Sequence, residues 1–128
     1  HNGDVEIAKR LIDVAADAGV DAVKFQKRRP EISTPEHIRD IPRETPWGTM
    51  TYLDYRRRVE FDRDQYIEIS DHAILRGLEW FASPWDVPSV AFLEDLGVAA
   101  HKVASACLTD RALLGALRDT GKPVILST

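Results

Sequence analysis

The chain has 128 residues, of which 44% are hydrophobic, 30% charged and 8% aromatic. These values are typical of a globular protein, and no apolar run approaches the roughly 18 residues that a membrane-spanning helix needs. The net charge of -4 and the pI near 5.5 argue against a nucleic-acid-binding protein. The single cysteine, Cys107, excludes an internal disulfide. We therefore expect a cytoplasmic protein that binds small molecules, with no nucleic-acid or membrane partner.

The first predicted element is an amphipathic helix. Apolar residues recur at helical spacing between Val5 and Ala16, and Gly19 is placed to end the helix with a left-handed cap. A strand is predicted directly afterwards, over Ala22 to Gln26. A basic loop marked by a proline follows, from Lys27 to Pro30.

The same order of helix, glycine and strand returns three more times. The predicted helix starts are Asp62, Asp86 and either Thr109 or Asp110, and the glycines are Gly77, Gly97 and Gly121. The predicted strands run from Leu78 to Ala82, from Ala100 to Ala104 and from Pro123 to Leu126. Four helix-strand units in succession imply parallel strands joined by helical crossovers, which is an α/β fold.

The segment from Lys27 to Glu60 breaks this spacing and carries four prolines. A loop of this length is usually functional or disordered, and its aromatic residues, such as Trp47 and Tyr52, favour order. At its end, the run Arg56 to Arg58 is followed by charges of both signs. This pattern favours a solvated helix start over a nucleic-acid-binding patch.

Three polar residues lie inside strands that are expected to be buried: Lys24, Gln26 and Lys102. Burying a lysine is costly without an anionic partner, and Lys24 and Gln26, two residues apart, share one face of their strand. The apolar run Val124 to Leu126, by contrast, is typical of a strand that is buried on both faces.

Three serines, Ser83, Ser105 and Ser127, follow the predicted ends of strands. Loops after the carboxyl ends of parallel strands form the ligand-binding face of such folds, so we expect lysines and serines to meet there. They suit a ligand that carries phosphate or carboxylate. The residues alone leave open whether the lysines bind an anion or form a Schiff base with a carbonyl substrate.

The remaining reactive side chains give weaker signals. The four histidines, His1, His37, His72 and His101, lack the spacing of metal ligands, so we predict no complete metal site in the chain. His72 is expected to be an ordinary exposed residue of a surface helix. Cys107 is expected to be a small buried hydrophobic residue rather than a nucleophile.

Five strings together resemble the N-acetylneuraminate (sialic acid) synthase family, in order and spacing over nearly the whole chain. They are His1 to Asp4, Ala18 to Gln26, Phe81 to Asp86, His101 to Ser105 and Gly121 to Thr128. The string Glu44 to Tyr52 also resembles a subgroup of bacterial members.

The resemblance implies a partial TIM (β/α)8 barrel. A full barrel of this type needs about 250 residues, so the chain holds about half of the parallel strands with their helices. Residues 1–128 are then the N-terminal part of the barrel, and the rest of the barrel and the C-terminal antifreeze-like domain of the family are absent. We expect the isolated piece to be poorly stable and inactive.

The implied activity is the condensation of phosphoenolpyruvate with N-acetylmannosamine, or a related acylated hexosamine, to a nine-carbon 2-keto sugar acid and phosphate. By matching motif positions, the residues that contact phosphoenolpyruvate are Lys24, Ser83, Lys102, Ser105 and Ser127. Gln26 is expected to lie beside the reacting sugar. Lys24, Gln26 and Lys102 are thus the expected catalytic residues, and the lysines are expected to bind charge rather than form an imine.

The resemblance further implies a divalent cation, Mn2+ or Mg2+, that polarises the sugar aldehyde and is held by ligands outside this segment, and a homodimer. The chain departs from the family pattern at Ala106 and Cys107, where many members have glycine and then an acidic residue. Two alternatives remain: another phosphoenolpyruvate-dependent 2-keto sugar acid synthase, and an inactive truncated barrel that only binds an anion.

Overall fold

The computed structural model describes all residues from 1 to 128. The helices are α1 (Val5–Asp17), α2 (Pro30–Ser33), α3 (Glu36–Arg39), α4 (Tyr52–Val59), α5 (Arg63–Leu75), α6 (Val87–Asp95) and α7 (Arg111–Asp119). The strands are β1 (Ala22–Lys27), β2 (Pro42–Thr45), β3 (Gly48–Thr51), β4 (Glu79–Pro84), β5 (His101–Val103) and β6 (Val124–Leu126). A single 3₁₀ turn, Ser105–Cys107, follows β5. None of the helices combines the length and apolar character needed to cross a membrane.

The main sheet has four parallel strands in the order β1-β4-β5-β6. Each connection between neighbours in this sheet passes through at least one helix, as the alternating pattern predicts. β2 and β3 form a separate antiparallel hairpin. The predicted α/β fold with parallel strands and helical crossovers is confirmed.

Local sequence signals set the starts of the four long helices. The carboxylates of Asp4, Asp62, Asp86 and Asp110 each accept a hydrogen bond from a backbone N–H in the first turn of their helix. Asp62 also forms a reciprocal capping box with Gln65. These bonds satisfy amides that have no partner within the helix, which is why the acidic residues predict the helix starts correctly.

Strand bounds differ from the prediction by one or two residues. β4 begins at Glu79 rather than Leu78, because the Leu78 amide bonds to Ala73 O and completes the end of α5. β4 then runs on to Pro84, so Ser83 lies inside the strand and not after it.

The helix-facing side of the sheet forms the main core. Val23, Phe25, Trp80 and Ala82 pack there against apolar residues of α1 and α5, including Ile12 and Ile69. The register pairs Val23 with Trp80 and Phe25 with Ala82, which places all four side chains on this face. The opposite face of the sheet, which carries Lys24, Gln26 and Ser83, is called here the inner face.

β6 does not have the double-sided burial that its sequence predicts. Val124, Ile125 and Leu126 are 36%, 46% and 57% exposed. The reason is position: β6 is an edge strand of the main sheet and pairs only with β5. An apolar run identifies a strand but does not report which neighbours cover it.

The segment between β1 and α5 is ordered. It forms α2 and α3, the β2–β3 hairpin and α4. Arg56, Arg57 and Arg58 were predicted to begin a solvated helix, and this is wrong: they form the last turns of α4. Only Arg57, which pairs with Glu31 at 2.7 Å, behaves as a surface ion-pair residue. Arg58 stacks on Trp47 at 4.3 Å.

Candidate functional site

The strand register brings the predicted site residues of the sheet to the inner face. Gln26 pairs with Ser83, Lys24 with Phe81, and Lys102 with Ile125. Neighbours in register share a face, and side chains alternate along each strand, so this face is the one opposite Trp80 and Val103. Ser127, two residues after Ile125, meets Lys102 there.

Lys102 is the more constrained of the two lysines. Its ammonium donates a hydrogen bond to Ser127 Oγ and a longer one, 3.4 Å, to Val103 O. Its side chain is half-buried. These contacts hold the ammonium at the carboxyl end of β5, where the fold class predicts a ligand.

Lys24 is exposed, whereas a lysine inside this strand was predicted to be buried. Its ammonium forms no hydrogen bond or ion pair. Partial desolvation lowers its pKa, and repulsion from the nearby Lys102 ammonium lowers that pKa further. The two cations therefore repel each other on one face, and an anion between them would relieve that repulsion.

The three predicted site serines differ in their exposure and in their hydrogen bonds. Ser83 is 2% exposed. Ser105 is exposed at the start of the 3₁₀ turn, and its hydroxyl makes no hydrogen bond to the other predicted residues. Of the three serines, only Ser127 forms a hydrogen bond to a site lysine.

Gln26 marks the carboxyl end of β1. With its carboxamide oxygen turned toward the available donors, Gln26 accepts from Trp85 Nε1 at 3.0 Å and from the Arg28 guanidinium. Its backbone carbonyl accepts from Tyr66 Oη at 2.9 Å. Both ends of the residue are therefore held, and its amide group is oriented by residues after β1 and β4.

A buried charged cluster next to Gln26 was not predicted. Lys27 and Arg28 are 9% and 7% exposed, and both lie near the Glu60 carboxylate, at 3.7 Å and 3.1 Å. Lys27 Nζ also donates to Phe61 O at 2.6 Å. Burial raises the pKa of Glu60 against the opposing effect of Lys27, and burial lowers the pKa of Lys27 against the effect of Glu60.

The signal for this cluster is the basic run Lys27 to Arg29, which is predicted as part of a polar loop although Lys27 is the last residue of β1. What the run does not reveal is its partner, because Glu60 lies more than 30 residues further along the chain. Arg56 of α4 joins the cluster as a neighbour of Arg28, whose pKa is lowered first by burial and then by the Arg56 charge.

The environments of two histidines and of the cysteine indicate structural roles. His72 is half-buried and bonds to Asp13 at 2.8 Å, so the prediction of an ordinary exposed residue is wrong. His101 is fully buried on the helix side of β5 and bonds to Glu94 at 2.7 Å. Cys107 is buried, as predicted, and burial raises the pKa of its thiol, which keeps the thiol protonated.

No group of three or more His, Cys, Asp or Glu side chains is placed to hold a metal ion. His101 and Glu94 do meet, but their third partner is a cation: Lys122 lies 3.1 Å from Glu94. A cationic third member makes this group a hydrogen-bonded ion pair rather than a metal site. The donor set of this chain does not by itself fit a divalent cation.

The chain is similar to known synthases over its whole length. It is 34% identical over 130 residues to the N-acetylneuraminate-9-phosphate synthase of Mus musculus and to the N,N'-diacetyllegionaminic acid synthase of Campylobacter jejuni. All of this chain is covered in both cases, but only 36% and 39% of those proteins. The chain thus spans well under half the length of these relatives.

The fold gives the same result. The crystal structure of the N-acetylneuraminic acid (sialic acid) synthetase of Leptospira borgpetersenii matches 98% of this chain and 40% of that protein, with a TM-score of 0.84 and 31% identity. The four-stranded sheet and its helices are therefore part of a TIM-type barrel, as predicted. The family model described as NeuB family matches residues 11–128. With nearly the entire chain matched, this protein belongs to the NeuB family, the sialic acid synthase family that its motifs resemble.

Proposed function

We propose that this chain forms the N-terminal part of a synthase that condenses phosphoenolpyruvate with an acylated hexosamine to a nine-carbon 2-keto sugar acid. The observation that carries this proposal is the pair of lysines on the inner face of the sheet, with Ser127 bonded to one of them. Family membership supports the reaction class. Relatives that share 34% identity with the chain carry different product names, so the choice of sugar needs its own test.

Phosphoenolpyruvate fits the lysine pair because it carries a phosphate and a carboxylate. Lys24 and Lys102 are proposed to bind these two groups, with hydrogen bonds from Ser83, Ser105 and Ser127. Two ammonium groups that repel each other gain more from an anion between them than either would alone. The role of the lysines is positioning and charge compensation, without an imine.

In the proposed reaction, the C2–C3 π electrons of phosphoenolpyruvate form the new carbon-carbon bond from C3 to the aldehyde carbon of the sugar, and the aldehyde oxygen takes up a proton as its π bond opens. Water then adds to the cationic C2 and loses a proton, and phosphate leaves with cleavage of its bond to C2, so that C2 becomes the keto carbon of the product. The lysine bound to the phosphate compensates its charge while it departs as an anion, and the other lysine holds the carboxylate. Gln26, fixed by Trp85 and Arg28, is proposed to orient the sugar beside the enol carbon.

The family implies a divalent cation, Mn2+ or Mg2+, whose expected chemistry is polarisation of a carbonyl oxygen. We place its ligands outside these 128 residues. We also propose that the full-length protein is a cytoplasmic homodimer. Both statements rest on the resemblance, and light scattering on the purified full-length protein tests the second.

The direct test is phosphate release by the full-length protein from phosphoenolpyruvate with a panel of acylated hexosamines, and with arabinose or erythrose phosphates. Release that depends on an acylated hexosamine supports the proposal. Release with only the shorter sugars would indicate a different 2-keto sugar acid synthase. Binding of phosphoenolpyruvate without release under any condition would favour a barrel that only binds an anion.

Lysine chemistry is tested separately by borohydride reduction in the presence of substrates, followed by mass spectrometry. The proposal expects no covalent adduct on Lys24 or Lys102. A reduced pyruvate or sugar adduct on either residue would replace charge binding with imine formation as the role of that lysine.

A further inference from the structure

A polar network lies behind β5, on the side of the sheet that faces the helices. His101 of β5 is 0% exposed and bonds through Nε2 to the Glu94 carboxylate of α6 at 2.7 Å. Lys122, in the loop before β6, lies 3.1 Å from the same carboxylate and donates to Val98 O at 2.7 Å. His101, Glu94 and Lys122 are called here the Glu94 network. They tie β5 and the start of β6 to α6.

The charges of the Glu94 network balance while His101 is neutral. Burial acts to raise the pKa of Glu94, but the hydrogen bonds from His101 and Lys122 outweigh it, so this pKa lies below its ordinary value and the carboxylate is ionised. An ionised carboxylate only accepts hydrogen bonds, so the proton of the neutral imidazole is on Nε2. One carboxylate then faces one cation, the Lys122 ammonium.

Protonation of His101 removes this balance. Its Nδ1 atom is buried without a hydrogen-bond partner, so a second proton would become a buried donor without an acceptor. The ring would also become a second cation on the carboxylate that Lys122 already uses. The residues beside His101 on the neighbouring strands, Ala82 and Val124, are apolar, and the buried residues of α7 are leucines. Glu94 alone therefore has to compensate both cations.

The strand that carries His101 also carries the more constrained site lysine. β5 has only three residues, and successive side chains alternate, so Lys102 lies on the inner face one residue after His101. The His101 amide donates to Pro123 O at 3.0 Å, and the Ser127 amide donates to Val103 O at 3.1 Å. Ser127 Oγ in turn accepts from the Lys102 ammonium. A movement of β5 against β6 would therefore disturb the contact between Lys102 and Ser127.

We propose that the Glu94 network positions Lys102 and Ser127, and that protonation of His101 loosens it, so that phosphoenolpyruvate binds more weakly in acid. This inference rests on the proposed function, which assigns phosphoenolpyruvate to these two residues. Histidine suits the role because its charge changes close to neutral pH. The members of the network lie on the helix side of the sheet, so they are positioning residues that act through β5 and β6.

The first test is calorimetric binding of phosphoenolpyruvate to the full-length protein and to its His101→Phe variant, at pH 8 and at pH 6, on either side of the range in which histidine changes charge. Phenylalanine keeps a ring in this position without a nitrogen that titrates. From pH 8 to pH 6 the unchanged protein should lose at least about threefold more affinity than the variant, the effect of one weakened hydrogen bond. Titration of the ligand itself is the same for both proteins. An equal loss in both would overturn the inference.

His72→Phe is the matched control. His72 also bonds to a carboxylate, that of Asp13 at 2.8 Å, but it joins α1 to α5 and lies away from β5. This variant should keep the pH dependence of the unchanged protein. A loss of that dependence in His72→Phe would mean that it does not come from the Glu94 network.

Lys122→Met is the second variant, and it carries the test if thermal unfolding shows that His101→Phe is not folded. Without the Lys122 ammonium, a protonated His101 has the Glu94 carboxylate to itself. The loss of affinity at pH 6 should therefore become smaller. An undiminished loss in a folded Lys122→Met protein would contradict the competition of two cations for one carboxylate.

Amide hydrogen exchange of the full-length protein without ligand separates this inference from the proposed function. After correction for the intrinsic rate, the Ser127 amide, which bonds to Val103 O, should be less protected at pH 6 than at pH 8, and His101→Phe should abolish this difference. If this is observed but phosphoenolpyruvate does not bind, the proposed function is wrong, while the movement of β5 against β6 is confirmed. If phosphoenolpyruvate binds and the protection does not change with pH, the proposed function stands and the role of the Glu94 network is rejected.

Discussion

At the scale of single residues, Lys24 shows a conflict between stability and binding. Its ammonium is repelled by Lys102, and its pKa is lowered by desolvation and by that repulsion. A lysine whose pKa is lower in the folded state than in the unfolded state destabilises the fold while it is charged. This cost is complete at neutral pH and disappears as pH rises above the ordinary value of 10.5.

Lys24→Met is therefore expected to raise the free energy of unfolding at pH 7, by less than about 1 kcal/mol because solvent screens the exposed ammonium. The same change should weaken phosphoenolpyruvate binding by about tenfold or more. Urea denaturation at pH 7 and above pH 10.5, with calorimetric titration, measures both effects. Lys9→Met is the control, since Glu6 raises the pKa of Lys9 and its loss should slightly lower stability. A loss of stability in Lys24→Met at pH 7 would contradict this account.

Glu60 has the opposite role, because it compensates two buried cations. Glu60→Gln leaves Lys27 and Arg28 without a carboxylate, and we expect a loss of about 3–5 kcal/mol in the free energy of unfolding. Glu68→Gln removes a carboxylate that is 54% exposed and should cost under about 1 kcal/mol. Urea denaturation of the two variants compares them directly. Similar losses for both would mean that the buried cluster is not a stabilising unit.

At the scale of elements, two helix caps of the same type differ in what they connect. Asp62 bonds only within the first turn of α5. Asp86 is 3% exposed, caps α6 and also accepts from the Arg29 amide at 2.6 Å. Asp86 thus joins the start of α6 to the segment that follows β1, next to the buried charged cluster.

We expect Asp62→Ala to cost about 1 kcal/mol, which is typical of a lost helix cap. Asp86→Ala should cost at least about 2 kcal/mol more, because the Arg29 amide and the Ser89 hydroxyl lose a buried acceptor as well. The free energies of unfolding of the two variants give the comparison. Equal losses would show that the bond across to Arg29 adds nothing.

Whether a feature could be predicted from the sequence depends on how far apart along the chain its interacting residues lie. Helix starts at Asp62 and Asp86 depend on bonds over three residues, so local sequence was sufficient to find them. The face shared by Lys24 and Gln26 follows from strand alternation alone. The pairing of Lys27 and Arg28 with Glu60, and the position of β6 at an edge, depend on which distant segments come together, and no local pattern reports that.

At the scale of the whole molecule, Lys24 and Ile125 are exposed on the inner face of the sheet, and β1 and β6 are its two edge strands. The candidate site lies on that face, so the surface that carries the two lysines also leaves apolar groups such as Ile125 exposed. In a closed barrel every strand has two neighbours and the interior is filled by side chains. The 128 residues taken alone have neither feature, although their helix-facing core is complete enough to bury Trp80 and Tyr66.

The 128 residues expressed alone are therefore expected to self-associate through the edge of β6, because unpaired strand edges with apolar side chains template pairing with other chains. Leu126→Lys places a charge on this edge at a side chain that is 57% exposed, and it should increase the monomer fraction in sedimentation velocity. Leu75→Lys is the matched control, since Leu75 is 81% exposed but lies on α5, away from any edge. Edge pairing predicts that only Leu126→Lys raises the monomer fraction, whereas an equal effect of both variants would assign the association to general surface hydrophobicity.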